Sequence, residues 1–323
     1  MQTCILTIAG SDSAAGAGIQ ADIKTAAACG CYAASALTCV TAQNTTEFVS
    51  AEAADVALIA QQIECVCRDL PIAAVKVGML GNAEVVGVVA DCLEALRAER
   101  PDLPIVLDPV LGATTQGNVQ TAPEELVGAL CRRLLPLATI VTPNLPEGII
   151  LAERTRAILS GRTTDESTAS SLSPVASNKD KAHWLARILI AQGAQAVLVK
   201  GGHDLESACC IDRLFICADS DCAYVLQRPK GDDTFNVHVQ VPVQDGQMRV
   251  PLTYERPRLE GEFHGTGCIL SSAIACNLAK GASLPDAVAA AQRLMNACLE
   301  HASSLGHGSH VLDPIAAIEA CEQ

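Results

Sequence analysis

The run Phe263-His264-Gly265-Thr266-Gly267-Cys268 leads straight into an apolar stretch with helical spacing, 269–280, closed by Gly281. A glycine-rich turn that opens a helix leaves several backbone N–H groups unpaired at the positive end of the helix dipole. Gly265 and Gly267 let that backbone come close to an anion. With Thr266 between them, they form a place to hold a phosphoryl group while its charge moves in a transition state. Cys268 falls in the first turn, where a thiol is expected to lose its proton more easily and to serve as a general base. The same spacing also fits a structural turn whose cysteine packs under the helix.

Other candidate groups follow short apolar runs. Residues 10–18, Gly10-Ser11-Asp12-Ser13-Ala14-Ala15-Gly16-Ala17-Gly18, form a second glycine-rich turn before a helical pattern, but not the G-x-G-x-x-G of dinucleotide sites. Asp22, one turn on, either reaches a ligand or favours the helix start. Gln43, in Thr41-Ala42-Gln43-Asn44-Thr45, can donate to and accept from a heteroaromatic edge. Asp108-Pro109-Val110 ends a run with a carboxylate, and Thr142-Pro143-Asn144-Leu145-Pro146-Glu147 places an amide and a carboxylate three residues apart. Asp108 and Glu147 are oxygen donors of the kind Mg²⁺ takes one or two at a time. Glu147 also suits a first helical turn behind Pro146. Lys200-Gly201-Gly202-His203 offers a cation beside two glycines, a plausible phosphate contact. Two anion-type turns, two carboxylates, a lysine and a helix-start thiol make the inventory of an ATP-dependent phosphoryl transferase. No G-x-x-x-x-G-K-[ST] sequence is present, so the nucleotide site is not expected to be a P-loop.

The elements that must position these groups alternate. Residues 4–9, 33–40, 73–77, 105–107, 139–141 and 196–199 read as strands: short, often β-branched, without polar alternation, as expected when both faces are covered. Residues 19–29, 55–68, 83–97, 123–134 and 181–192 carry helical apolar spacing. The alternation predicts a mostly parallel α/β sheet with helices on both faces, and ligands in such sheets bind beyond the carboxyl ends of the strands. Residues 155–179 are polar and Ser/Thr-rich and read as an insertion. Residues 218–262 read as β-hairpins laid on the sheet. One domain, 1–323, with these two decorations is expected.

Half the chain is apolar and 18% is charged, which excludes a disordered chain. Its 22 basic and 36 acidic residues give −14 without a basic run, so no nucleic-acid surface is expected. No stretch reaches the roughly 18 apolar residues of a membrane span, and residues 1–10 lack a basic leader, so a cytoplasmic location is expected. The 16 cysteines are scattered without a C-x-x-C pair; with 2% aromatics, they read as small core fillers in a reducing compartment.

These motifs, in this order, resemble the hydroxymethylpyrimidine/phosphomethylpyrimidine kinases of thiamin biosynthesis, a branch of the ribokinase-like superfamily. Lys76-Val77-Gly78-Met79-Leu80 adds to the match, as does Leu305-Gly306-His307-Gly308 near the C-terminus. Cys268 is specific to the branch, since most of the superfamily has an acid there. The resemblance implies an aminopyrimidine held by Gly10, Ala17, Asp22, Gln43, Met79 and Val110. It also implies Asn144 and Glu147 on Mg–ATP, Lys200 near the phosphates, the 265–268 backbone as anion hole and Cys268 as base. A homodimer is implied too. Where the family usually has Gly-Gly, this chain has Ala15-Gly16. Where the family has a Lys-Ser-Gly-like stretch, this chain has Leu111-Gly112-Ala113-Thr114-Thr115-Gln116-Gly117. Glu260-Gly261-Glu262-Phe263 is closer to vitamin B6 kinases, and its two acids would repel a monophosphate more than a neutral acceptor. Pyridoxal or pyridoxine kinase activity, or pyrimidine binding without turnover, are the alternatives.

Overall fold

A computed structural model describes residues 2–112, 114–115, 118–119, 122–160, 177–202, 208–217, 236–238, 244–245, 248–249 and 251–321. In chain order, β1 (Cys4–Ser11), α1 (Gly18–Ala28), β2 (Tyr32–Gln43), β3 (Phe48–Ala53), α2 (Val56–Asp69), β4 (Ile72–Val77), α3 (Ala83–Glu99) and β5 (Ile105–Leu107) come first. A ribbon of β6 (Thr114–Thr115) and β7 (Asn118–Val119) leads to α4 (Glu124–Ala129), β8 (Ile140–Val141), α5 (Leu145–Leu159), α6 (Asn178–Ala191), β9 (Ala196–Val199) and β10 (Cys209–Ile216). The last third holds β11 (Asn236–His238), β12 (Gln244–Asp245), β13 (Met248–Arg249), β14 (Leu252–Pro257), β15 (Phe263–His264), α7 (Thr266–Ala279), α8 (Leu284–Glu300), β16 (His310–Val311) and α9 (Pro314–Cys321).

Among the described residues, ten strands form one sheet in the order β11-β14-β10-β9-β8-β5-β4-β1-β2-β3. Every pairing from β2 to β9 is parallel, whereas β3 and the β10-β14-β11 group are antiparallel. Alternate side chains of each central strand feed two cores. Leu6, Ile8, Val75, Val77, Ile105 and Leu107 point into the one covered by α2 to α6. Ile5, Ala74, Val106, Ile140 and Leu198 face the one covered by α1, α7, α8 and α9. Burial on both faces is why these strands lack polar alternation.

Of residues 218–262, the described β11 and β14 extend the sheet edge through β10, and β12 and β13 pair as a two-stranded hairpin of their own. The polar insertion is shorter than 155–179, because α5 continues to Leu159 and Ser177 already caps α6; residues 161–176 lie outside the described residues. Strands β3 and β10 carry too few β-branched residues in alternation to be read locally and are held by their neighbours.

Candidate active site

Strand order, not strand direction, reverses at β1: the chain adds β2 on one side of it and later β4 on the other, all three parallel. A cleft of about 250 Å³ opens at the carboxyl edge around this point. β1 supplies Gly10 and the turn to Ala17, β2 supplies Gln43, and Met79 follows β4. Asp108 and Val110 follow β5, Asn144 and Glu147 follow β8, Lys200 follows β9, and Gly265, Thr266, Gly267 and Cys268 come from the start of α7. These thirteen residues, expected from the sequence, share one wall or another of a single cleft.

The start of α7 has the geometry of an anion hole. Side chains cap α2, α3, α5, α6 and α8 through Asp55, Asn82, Asn144, Ser177 and Ser283. No side chain among the described residues caps α7 or α1, the two helices that start at the cleft behind glycine-rich turns. The amide hydrogens at the head of α7 are therefore available to a ligand. Gly265 stands at φ +85°, and a Cβ there would lie 1.8 Å from the Gly16 carbonyl oxygen. Gly16 in turn faces the His264 ring, 2.6 Å from where its own Cβ would be. Only glycine lets the two turns mate.

Asp22 departs from the expectation. It does not line the cleft but is wholly buried behind it, ion-paired to Lys76 Nζ at 2.8 Å. It also accepts from Ser272 Oγ at 2.7 Å and from Thr7 Oγ1. A carboxylate buried this deeply needs such partners, and its place one turn into α1 puts it under the sheet edge rather than on the wall.

Cys268 is half-buried on the cleft wall. The expected fall in its pKa is reversed: burial pushes the thiol up to about 11, Lys76 opposes this, and Asp22 and Asp108 reinforce it. Desolvation of the thiolate outweighs the helix dipole.

Asp108 is 2% exposed; its Oδ1 accepts from Lys200 Nζ at 3.0 Å and Thr142 Oγ1 at 3.1 Å. Burial alone would raise its pKa, but Lys200 and Lys76 hold it below the usual carboxylate range. Asn144 and Glu147 form a capping box: Glu147 Oε2 accepts from the Asn144 N–H and Asn144 Oδ1 from the Glu147 N–H, each at 2.8 Å. Burial and the neighbouring Asp108 raise Glu147, against Lys200. Along this line, three carboxylates (Asp22, Asp108, Glu147) share two ammonium groups (Lys76, Lys200), a surplus of one negative charge. That donor set fits a Mg²⁺ ion at Glu147 and Asp108. Lys200 and Thr142 bond Asp108 Oδ1, while Ser271 Oγ lies 3.4 Å from Oδ2.

The cleft also uses Asp12, His264, Asp212, Arg256, Gln292 and Met295. The last four come from β10, β14 and α8, where no local motif marks them; only the tertiary fold brings them to the wall.

Comparison with known proteins decides the family. Residues 12–238 and 222–313 match the family model for phosphomethylpyrimidine kinase. The chain belongs to this family. A hydroxymethylpyrimidine/phosphomethylpyrimidine kinase of Haemophilus influenzae is 36% identical over 94% of this chain and 93% of its own length. Among solved structures, a Bacillus subtilis pyridoxal kinase in complex with ADP matches with a TM-score of 0.72 and 27% identity, covering 99% of this chain and all of that one. A Clostridium difficile phosphomethylpyrimidine kinase matches at 0.63 and 29%, over 92% of this chain and all of that one. The fold is thus that of the ribokinase-like kinases. Among the described residues, no helix is long and apolar enough to cross a membrane.

Proposed function

We propose that the protein transfers the γ-phosphoryl group of ATP to 4-amino-5-hydroxymethyl-2-methylpyrimidine, to its monophosphate, or to both, in thiamin biosynthesis. The observation that carries this reading is the uncapped glycine-opened head of α7 facing the same cleft as Gln43 and the Asp108–Lys200 pair. The aminopyrimidine lies against Gly10, Ala17, Met79 and Val110 with its polar edge on Gln43. The acceptor hydroxyl points at Cys268, whose thiolate takes the proton as oxygen attacks phosphorus. The amides of residues 265–268 hold the charge that develops on the transferring group, and Lys200, whose Nζ lies beside Gly267, neutralises the phosphates. Mg²⁺ beside Glu147 and Asp108 would screen the phosphate oxygens.

Product identification by mass spectrometry tests this: the hydroxymethylpyrimidine plus ATP is expected to give the monophosphate, the diphosphate or both. A clear kcat/KM preference for pyridoxal, the acceptor suggested by the Bacillus subtilis neighbour, would replace the assignment. A homodimer belongs to the same reading, as the family resemblance implies; exposed Val40 on β2 and Val49 on the edge strand β3 are apolar surface that it would cover. Light scattering at twice 33.5 kDa is the expected result.

A further inference from the structure

Two consecutive residues of the glycine-rich turn at 10–18 each tie it to another part of the cleft lining. Asp12, 1% exposed, is the hub of one link. Its Oδ2 accepts from the Ala17 N–H at 2.7 Å and the Gly16 N–H at 3.0 Å and lies 3.0 Å from His264 Nε2. Its Oδ1 accepts from the Ala14 N–H at 2.8 Å. One carboxylate therefore sets the shape of the turn and ties it to the residue that immediately precedes the anion hole. The second link is Ser13, whose hydroxyl donates to the Gln43 carbonyl at 2.6 Å and accepts from the Gln43 N–H at 2.9 Å. That fixes the backbone from which the Gln43 side chain projects.

We propose that this turn is a bracket setting the distance between acceptor and phosphoryl group. Asp12, through His264, positions the amide hole, and Ser13 positions Gln43. The inference rests on the kinase reading above. Neither side chain reacts; each acts through the residue it holds. The two links should therefore separate in kinetics. A displaced amide hole weakens transition-state contacts and lowers kcat, since a misplacement near 1 Å is worth about 100-fold. A displaced Gln43 weakens uniform binding and raises KM.

The test uses the full chain with hydroxymethylpyrimidine and ATP. His264→Ala should lower kcat about 30- to 100-fold while the acceptor KM changes less than threefold. His264→Gln, which keeps an N–H donor near the Nε2 position, should recover to within about fivefold of the parent. Ser13→Ala should do the reverse, raising the acceptor KM about three- to tenfold with kcat within threefold. Equal losses in the Ala and Gln variants at 264, or a kcat for His264→Ala within threefold of the parent, would overturn the bracket. A second readout is independent of turnover: peptide-resolved iodoacetamide labelling. Loosening the bracket should speed alkylation of Cys268 at least about fivefold, leaving exposed Cys65 as an internal reference. If the parent protein makes no product, the kinase reading fails, and unchanged Cys268 labelling in His264→Ala then rejects the bracket on its own terms.

Discussion

Cys268 shows how one side chain's chemistry depends on what surrounds it. At the head of a helix a thiol is expected to ionise readily, yet burial holds this one near pKa 11 in the free protein. Below that value the thiolate fraction rises about tenfold per pH unit. As base, it should therefore give a log(kcat/KM) that climbs with pH from 7 to beyond 9, with no plateau before about pH 10. In Cys268→Ala that limb should vanish and kcat should fall at least about 100-fold; a loss under tenfold would remove the base role. Ala15 carries a different local tension. Its φ of 57° lies in the left-handed region, at the place where the resembling family usually has glycine. Ala15→Gly should stabilise the protein by up to about 1 kcal/mol in urea unfolding.

At the scale of elements, the site depends on how α7 begins rather than on what α7 contains. Its first residues are left uncapped, and the preceding Gly265 touches the Gly16 carbonyl. Gly265→Ala introduces a Cβ where 1.8 Å of room exists and a positive φ that alanine resists. The two turns must then part. A folded protein with kcat reduced at least about 100-fold is the expected outcome, read from circular dichroism and steady-state kinetics together. The start of α5 behaves oppositely: Asn144 and Glu147 satisfy each other's backbone as a capping box while lining the cleft. Glu147 thus closes the cap and faces the cleft at once. The helix cap holds Glu147 rigid at the site.

Across the whole molecule, the Asp22–Lys76 pair joins α1 to β4 directly behind the cleft, with α7 closing over it through Ser272. Both charges are fully buried, so removing only the cation strands a carboxylate in the interior. Lys76→Met is expected to cost about 3–5 kcal/mol of unfolding free energy. Adding Asp22→Asn, which keeps hydrogen-bonding capacity for Thr7 and Ser272 without charge, should recover part of that loss. No recovery in the double variant would mean that Lys76 stabilises through packing of its stem rather than through the pair.

The amino-acid order alone determined the alternating architecture, because strands covered on both faces must be short and apolar and helices must show their spacing. It also determined most of the cleft, because carboxyl-edge residues follow strands and can be read one loop at a time. Glycine turns, Gln43, Asp108, the Asn144–Glu147 step and Lys200 are local signals of this kind. What only the tertiary structure decided are relations between distant segments. Asp22 became an interior ion-pair partner because Lys76, 54 residues on, comes to lie beside it. Cys268 changed direction in pKa because desolvation is a property of the packed surroundings, not of a helix start. Arg256, Asp212 and Gln292 joined the wall, and Asp12 met His264, through contacts that no spacing along the chain encodes.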